Sequence, residues 1–175
     1  MIPQKYQWLL QEPGPKLLIE ALKTYGTKEM PGTGDNPEIL SWAKETGLNR
    51  VYSADSVPWC GLWMAVVAKR ADKDIPKDPL WARNWAKFGT EVKQPGLGDV
   101  LVFQRQQGGH VGIYIGEDDT AYHTLGGNQS DQVSITRILK SRCIAKRRPL
   151  WKTAQPPNVR KIVLQPDGVV STNEA

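Results

Sequence analysis

The chain is poor in the side chains that staple or metallate small folds. Its 175 residues include two cysteines and two histidines, against 23 basic and 18 acidic side chains. Two cysteines cannot form the disulfide framework of a small secreted scaffold, and a single Cys60–Cys143 bridge is the one pairing left open. Cys60, His110, His123 and Cys143 stand on separate segments without paired ligand spacing, which argues against zinc; neither a metal nor another cofactor is expected. Long apolar runs are also missing. Nothing approaches the roughly 20 residues that a membrane span needs, and the opening M-I-P-Q-K-Y-Q-W-L-L is too short for a signal peptide. The expectation is therefore synthesis in the cytoplasm without a leader, as one domain and as a monomer. The length suits a single core.

What the chain does have is a modest basic excess and strong local punctuation. The net charge of +5 gathers in K-S-R-C-I-A-K-R-R, Arg160 and Lys161. Such a patch fits a polyanion, or a solvated edge strand kept from aggregating by its charges. Residues 1–16 read as an arm that packs through Tyr6, Trp8, Leu9 and Leu10. Leu17, Leu18, Ala21, Leu22 and Tyr25 mark one face of a first helix closed by Gly26. Asn36 and Pro37 read as cap and first position of a second helix ending at Gly47. Asp55 or Ser56 caps a third, with Pro58 at its first position and Cys60 in its first turn. Asp78 and Pro79 open a fourth, which carries Trp81 and Trp85 and ends at Gly89.

Past Gly89 the period changes from helical to alternating. Strands are expected in G-L-G-D-V-L-V-F-Q-R, H-V-G-I-Y-I-G, T-A-Y-H-T-L, Q-V-S-I-T-R-I-L and C-I-A-K-R-R-P, joined by connections short enough to demand antiparallel neighbours. Residues 151–175 form an extension of the same domain. There P-D-G at 166–168 signals a hairpin before a loose end. Helices first and antiparallel strands afterwards make an α+β protein.

The chemistry begins at Cys60. A thiol in the first turn of a helix faces unpaired N–H groups and the positive end of the helix dipole, which favour thiolate. Its base must be one of the two histidines. His110, starting a strand after Q-Q-G-G, has the better position at a sheet rim; His123, inside a strand, is the alternative. Asn128 in L-G-G-N-Q is the candidate orienter of the imidazole, although Gly-Gly-Asn is equally a turn sequence. Backbone N–H of Cys60, with Ser56 or Asp55 upstream, is the candidate oxyanion site, and Trp59 and Gln129 are candidate substrate contacts.

P-W-C-G, G-D-V-L-V-F, G-H-V-G-I-Y-I-G and L-G-G-N-Q, in the order Cys, His, Asn, resemble the CHAP branch of the cysteine peptidoglycan hydrolases, kin of NlpC-type peptidases. The resemblance covers roughly residues 17–150 and implies a papain-like fold, with a helical lobe presenting Cys60 and an antiparallel sheet presenting His110 and Asn128. It implies thioester chemistry on an amide bond of bacterial peptidoglycan, in the periplasm or outside the cell, with no nucleic-acid partner. A phage endolysin is the first expectation. An injected antibacterial amidase, or a wall-binding domain that has lost catalysis, is the alternative. Many relatives carry an acidic residue where Gly126 stands here, so a carboxylate orienter is expected to be absent.

Overall fold

A computed structural model describes residues 1–172. Three α-helices, α1 (Lys16–Leu22), α2 (Pro37–Thr46) and α3 (Cys60–Arg70), precede a six-stranded antiparallel sheet. Its strands are β1 (Thr90–Glu91), β2 (Val100–Gln104), β3 (Gly109–Glu117), β4 (Ala121–Gly126), β5 (Ser134–Leu139) and β6 (Cys143–Arg148), in the order β1-β6-β2-β3-β4-β5. The α+β class and its papain-like layout, helical lobe on sheet, follow the expectation. Residues 173–175, part of the expected loose end, lie outside the described residues.

Helix α1 is shorter than expected, ending at Leu22 with Lys23 as its C-cap and residues 23–26 as turn, whereas at α2 the local signals act as their chemistry requires. The Asn36 side chain accepts the Glu38 N–H, Pro37 occupies the first turn, and Gly47 closes the helix at φ 75°. At α3 the cap differs from expectation. Trp59 is the N-cap residue, without a side-chain bond, and the helix begins at Cys60 itself. Asp55 cannot cap it because its carboxylate accepts the N–H groups of Met30 (2.9 Å) and Asn36 (2.7 Å). The expected fourth helix is a short 3-10 turn, Ala82–Lys87. Asp78 takes a left-handed φ of 51°, and the indole N–H of Trp85 donates to the Pro79 carbonyl. Trp85 is thereby fixed in the core, whereas Trp81 stays 70% exposed.

Helix α3 is buried along Cys60–Ala68 and forms the spine of the core. Leu62, Trp63, Val66 and Val67 pack with Leu17, Leu18 and Trp42 on one side and with Val102, Val111, Ile113 and Leu125 of the sheet on the other. Each large apolar side chain sealed there contributes about 1.5–3 kcal/mol. Gly61 has to be a glycine for want of room. A β-carbon there would stand 2.4 Å from the Pro79 carbonyl oxygen, so the 79–80 backbone crosses directly over the helix start.

Two expectations about the C-terminal part are corrected. The P-D-G segment makes no hairpin, because its flanks pair elsewhere: Val163 bridges Glu117 of β3 and Val170 bridges Arg137 of β5, both in parallel. The basic segment is not an edge strand either. β6 lies between β1 and β2, and its cations turn inward. Arg147 donates to the carbonyls of Phe88 and Gly89, and Arg148 grips Asp99 through two bonds of 3.1 and 2.8 Å.

Candidate active site

Strand β3 outruns its neighbour. Pairing with β4 ends at Ile113 opposite Leu125, after which β4 turns away at Gly126, so His110 and Val111 continue along the sheet rim beside the start of α3. The Cys60 sulfur lies here. The backbone N–H dipoles of Val111 and Gly61 and the charge of Arg105 favour its ionised form. Cys60 is 4% exposed, and burial pushes its thiol above the ordinary range despite those donors. The expected lowering by the helix end is therefore outweighed by desolvation.

The imidazole of His110 is fully enclosed, tilted by 30° to Phe103 at a centroid distance of 6.3 Å. Its Nε2 lies 3.0 Å from Gln129 Oε1. The direction of that bond follows from the other end of the amide. Gln129 Nε2 donates to the carbonyls of Thr124 and Ser134, so its oxygen has to face the ring. An amide oxygen only accepts. Nε2 thus carries the hydrogen, and the neutral ring keeps its lone pair on Nδ1.

The residue holding the imidazole is accordingly Gln129, not Asn128. The loop between β4 and β5 explains the exchange: Asn128 adopts a left-handed φ of 56°, which reverses the side-chain direction between neighbours. Asn128 points instead at the chain before Cys60. With its amide oriented to satisfy both contacts, its oxygen accepts the Trp59 N–H and its nitrogen donates to Glu29 Oε1, each at 3.2 Å. The same Glu29 oxygen accepts the Trp59 indole N–H at 2.6 Å. Glu29, Trp59 and Asn128 form a clamp between the residue preceding Cys60 and the residue preceding Gln129. Burial, with the nearby charges of Asp131 and Asp55, raises the Glu29 carboxyl above its usual range against the opposing Trp59 bond.

The absence of a side chain at Gly126 also has a spatial cause. A β-carbon there would lie 2.8 Å from Gln129 Oε1 and 3.0 Å from His110 Nε2. An acidic residue at this position and the Gln129–His110 bond cannot coexist in this arrangement.

The other candidates are dispersed. Asp55 fastens the 30–36 loop through the two N–H groups above, while its own N–H donates to Asp35, so it offers the thiol no donor. Ser56 is exposed on the approach to α3, and Trp59 is buried against Trp42. His123 sits in a separate buried network, its Nδ1 2.6 Å from the Tyr6 hydroxyl and its Nε2 3.0 Å from Asp118. Cys143 and Cys60 are both free thiols, so the bridge left open by the sequence is not formed. Among the described residues no cluster of three or more His, Cys, Asp or Glu could hold a metal ion, and no helix is long and apolar enough to cross a membrane. Glu29 is the participant that the sequence reading missed. It lies in a Gly/Pro-rich loop, 31 positions from Cys60, with no local signal to mark it.

A thiol at a helix start, a rim imidazole with a fixed tautomer and an amide orienter form a set suited to acyl transfer. No curated protein matches the chain. The family model described as the NlpC/P60 family matches residues 54–148, more than half of the chain and every element of this site except Glu29. The protein belongs to the NlpC/P60 family, papain-like cysteine peptidases that hydrolyse the bacterial cell wall.

Proposed function

We propose that the chain cleaves an amide bond of peptidoglycan, with Cys60 as nucleophile, His110 as base and acid, and Gln129 as orienter. The observation that carries this reading is the Gln129 bond to Nε2, which leaves Nδ1 as the proton-accepting atom. Nδ1 takes the Cys60 proton as sulfur attacks the carbonyl, which fits a thiol that burial pushes toward its protonated form. The oxyanion forms at the start of α3, where the Cys60 N–H and the helix dipole favour negative charge. Protonated Nδ1 then gives its proton to the leaving amine as the C–N bond breaks, leaving a thioester. Nδ1 next deprotonates a water, which attacks the thioester carbonyl. The carboxylic acid departs, and the sulfur recovers its proton from the ring.

The motif resemblance supports a lytic role of the endolysin type. The test is mass spectrometry of purified sacculi after digestion. Wild type is expected to release fragments with matching new amine and carboxyl ends, which name an amidase or an endopeptidase. Cys60→Ala and His110→Ala are expected to release none. The same fragments from Cys60→Ala would overturn the assignment.

A further inference from the structure

At the far end of α3 from the nucleophile lies a cavity of about 690 Å³. Its walls come from the C-terminal end of α3 and the turn after it, from residues 87–89 ahead of β1, and from the 150–152 segment after β6. Lys69 is nine residues along the helix from Cys60, roughly 14 Å at ~1.5 Å per residue, so this cavity is spatially separate from the thiol.

The lining combines four ammonium groups, those of Lys69, Lys73, Lys87 and Lys152, with Phe88 and the indole of Trp151. Asp72 and Asp74 offset two of the four charges. Lys73 is the most constrained cation: it lies 4.8 Å over the Trp151 ring and donates to the Leu150 carbonyl at 2.6 Å. Burial lowers its pKa, with repulsion from Lys152 and Lys16 adding to that against the pull of Asp72. A half-buried cation repelled by its neighbours is stabilised by an incoming anion. Lys69 donates to the Glu45 carbonyl and Lys152 to Asp72, which leaves each ammonium two further donors. The Trp151 indole nitrogen, enclosed, has no hydrogen-bond partner among the described residues. Trp151 also lines the cavity with its ring, an apolar surface of the kind on which a pyranose packs.

We infer that this cavity is a second binding site, for a sugar that carries a phosphate or carboxylate group, separate from the centre that cleaves the amide. Lys73 and Lys87 hold the anionic group and Trp151 contacts the ring. The site tethers the enzyme to an anionic glycan while α3 carries the thiol toward a neighbouring peptide. Binding does not require catalysis, so the test uses Cys60→Ala, and its failure leaves the hydrolase reading untouched.

The experiment is a titration of ¹⁵N-labelled Cys60→Ala with N-acetylglucosamine 1-phosphate, inorganic phosphate and neutral N-acetylglucosamine, following the Trp151 indole N–H resonance. The sugar phosphate is expected to move that resonance saturably and to bind more tightly than either fragment. Exposed Lys87→Gln and the pair Lys73→Gln/Lys87→Gln are expected to weaken binding by about tenfold or more, as loss of a charge-assisted bond implies. In the catalytically intact protein, the pair is expected to reduce retention on sacculi while leaving cleavage of a soluble muropeptide unchanged. An unmoved Trp151 resonance, equal affinity for the neutral sugar, or binding of these lysines to phosphatidylglycerol vesicles but not to the sugar phosphate would each overturn the inference.

Discussion

Replacing Glu29 tests whether the clamp before Cys60 positions the proposed catalytic set. Glu29→Leu removes the acceptor of both the Trp59 indole N–H and the Asn128 amide N–H. Hydrogen bonds to a charged acceptor contribute about 1.5–3 kcal/mol each when enclosed; Glu29 is only half-buried, so a total loss of about 1–3 kcal/mol is expected. The larger effect falls on rate. Trp59 precedes Cys60 and Asn128 precedes Gln129, so a shift of either chain moves the thiol or the imidazole. A misplacement on the order of 1 Å costs about 10²-fold in kcat. Glu29→Gln keeps the one oxygen that both donors share and is expected to retain kcat within about threefold of wild type.

The pH dependence separates geometry from charge in the same two variants. The Glu29 carboxyl has its pKa raised in the folded state, so the contribution linked to its proton is complete below the unfolded carboxylate pKa of about 4.3 and is lost as pH rises through the folded value. Folding therefore opposes ionisation of Glu29. Glu29→Gln should be more stable than wild type at pH 7, and the gap should close on acidification. Chemical denaturation at several pH values, with kcat and KM for a muropeptide, reads both effects. Wild-type kcat in a folded Glu29→Leu protein would refute the positioning argument.

Further expectations concern the imidazole and the thiol. Gln129→Ala should lower kcat by about 10²-fold with little change in KM, because the His110 tautomer is no longer fixed, whereas Asn128→Gly keeps the left-handed turn and tests the clamp alone. Gly126→Ala should fold with a lower Tm and lose most of its kcat, since the added methyl enters the space of the Gln129–His110 bond; unchanged kinetics would contradict that contact. Alkylation of Cys60 by iodoacetamide should show a midpoint above the ordinary thiol value of about 8.5, because burial favours the protonated form. A midpoint below it would mean a resting thiolate–imidazolium pair.

The sequence made the strand series readable because short runs rich in β-branched and aromatic residues end at short polar connections. It made α2 readable because Asn36, Pro37 and Gly47 act through neighbours two or three residues away. The errors arose where partners are distant. Asp55 was expected to cap α3, but its carboxylate is captured by N–H groups 25 and 19 positions earlier. Asn128 and Gln129 are adjacent and chemically alike, and only a left-handed φ decides which one turns toward His110. The thiol presented a balance rather than a pattern: helix-end donors were visible, but their weight against complete burial was not. The motif resemblance named NlpC-type peptidases as kin of the CHAP branch, and the family match lies with NlpC/P60.

The His123 network links stretches of chain outside the matched span to strands inside it. Tyr6, from the 3-10 segment Gln4–Gln11, donates to His123 Nδ1, and Arg137 joins Asp118 to the Gly168 carbonyl. Asp118, nearly sealed, is held far below the usual carboxylate range against the cost of its burial, by Arg137 before His123. A fragment cut to residues 54–148 would strip the phenol from a histidine inside the sheet and open its carboxylate partner to water. Recombinant versions trimmed to the homology boundary should thus be insoluble or molten.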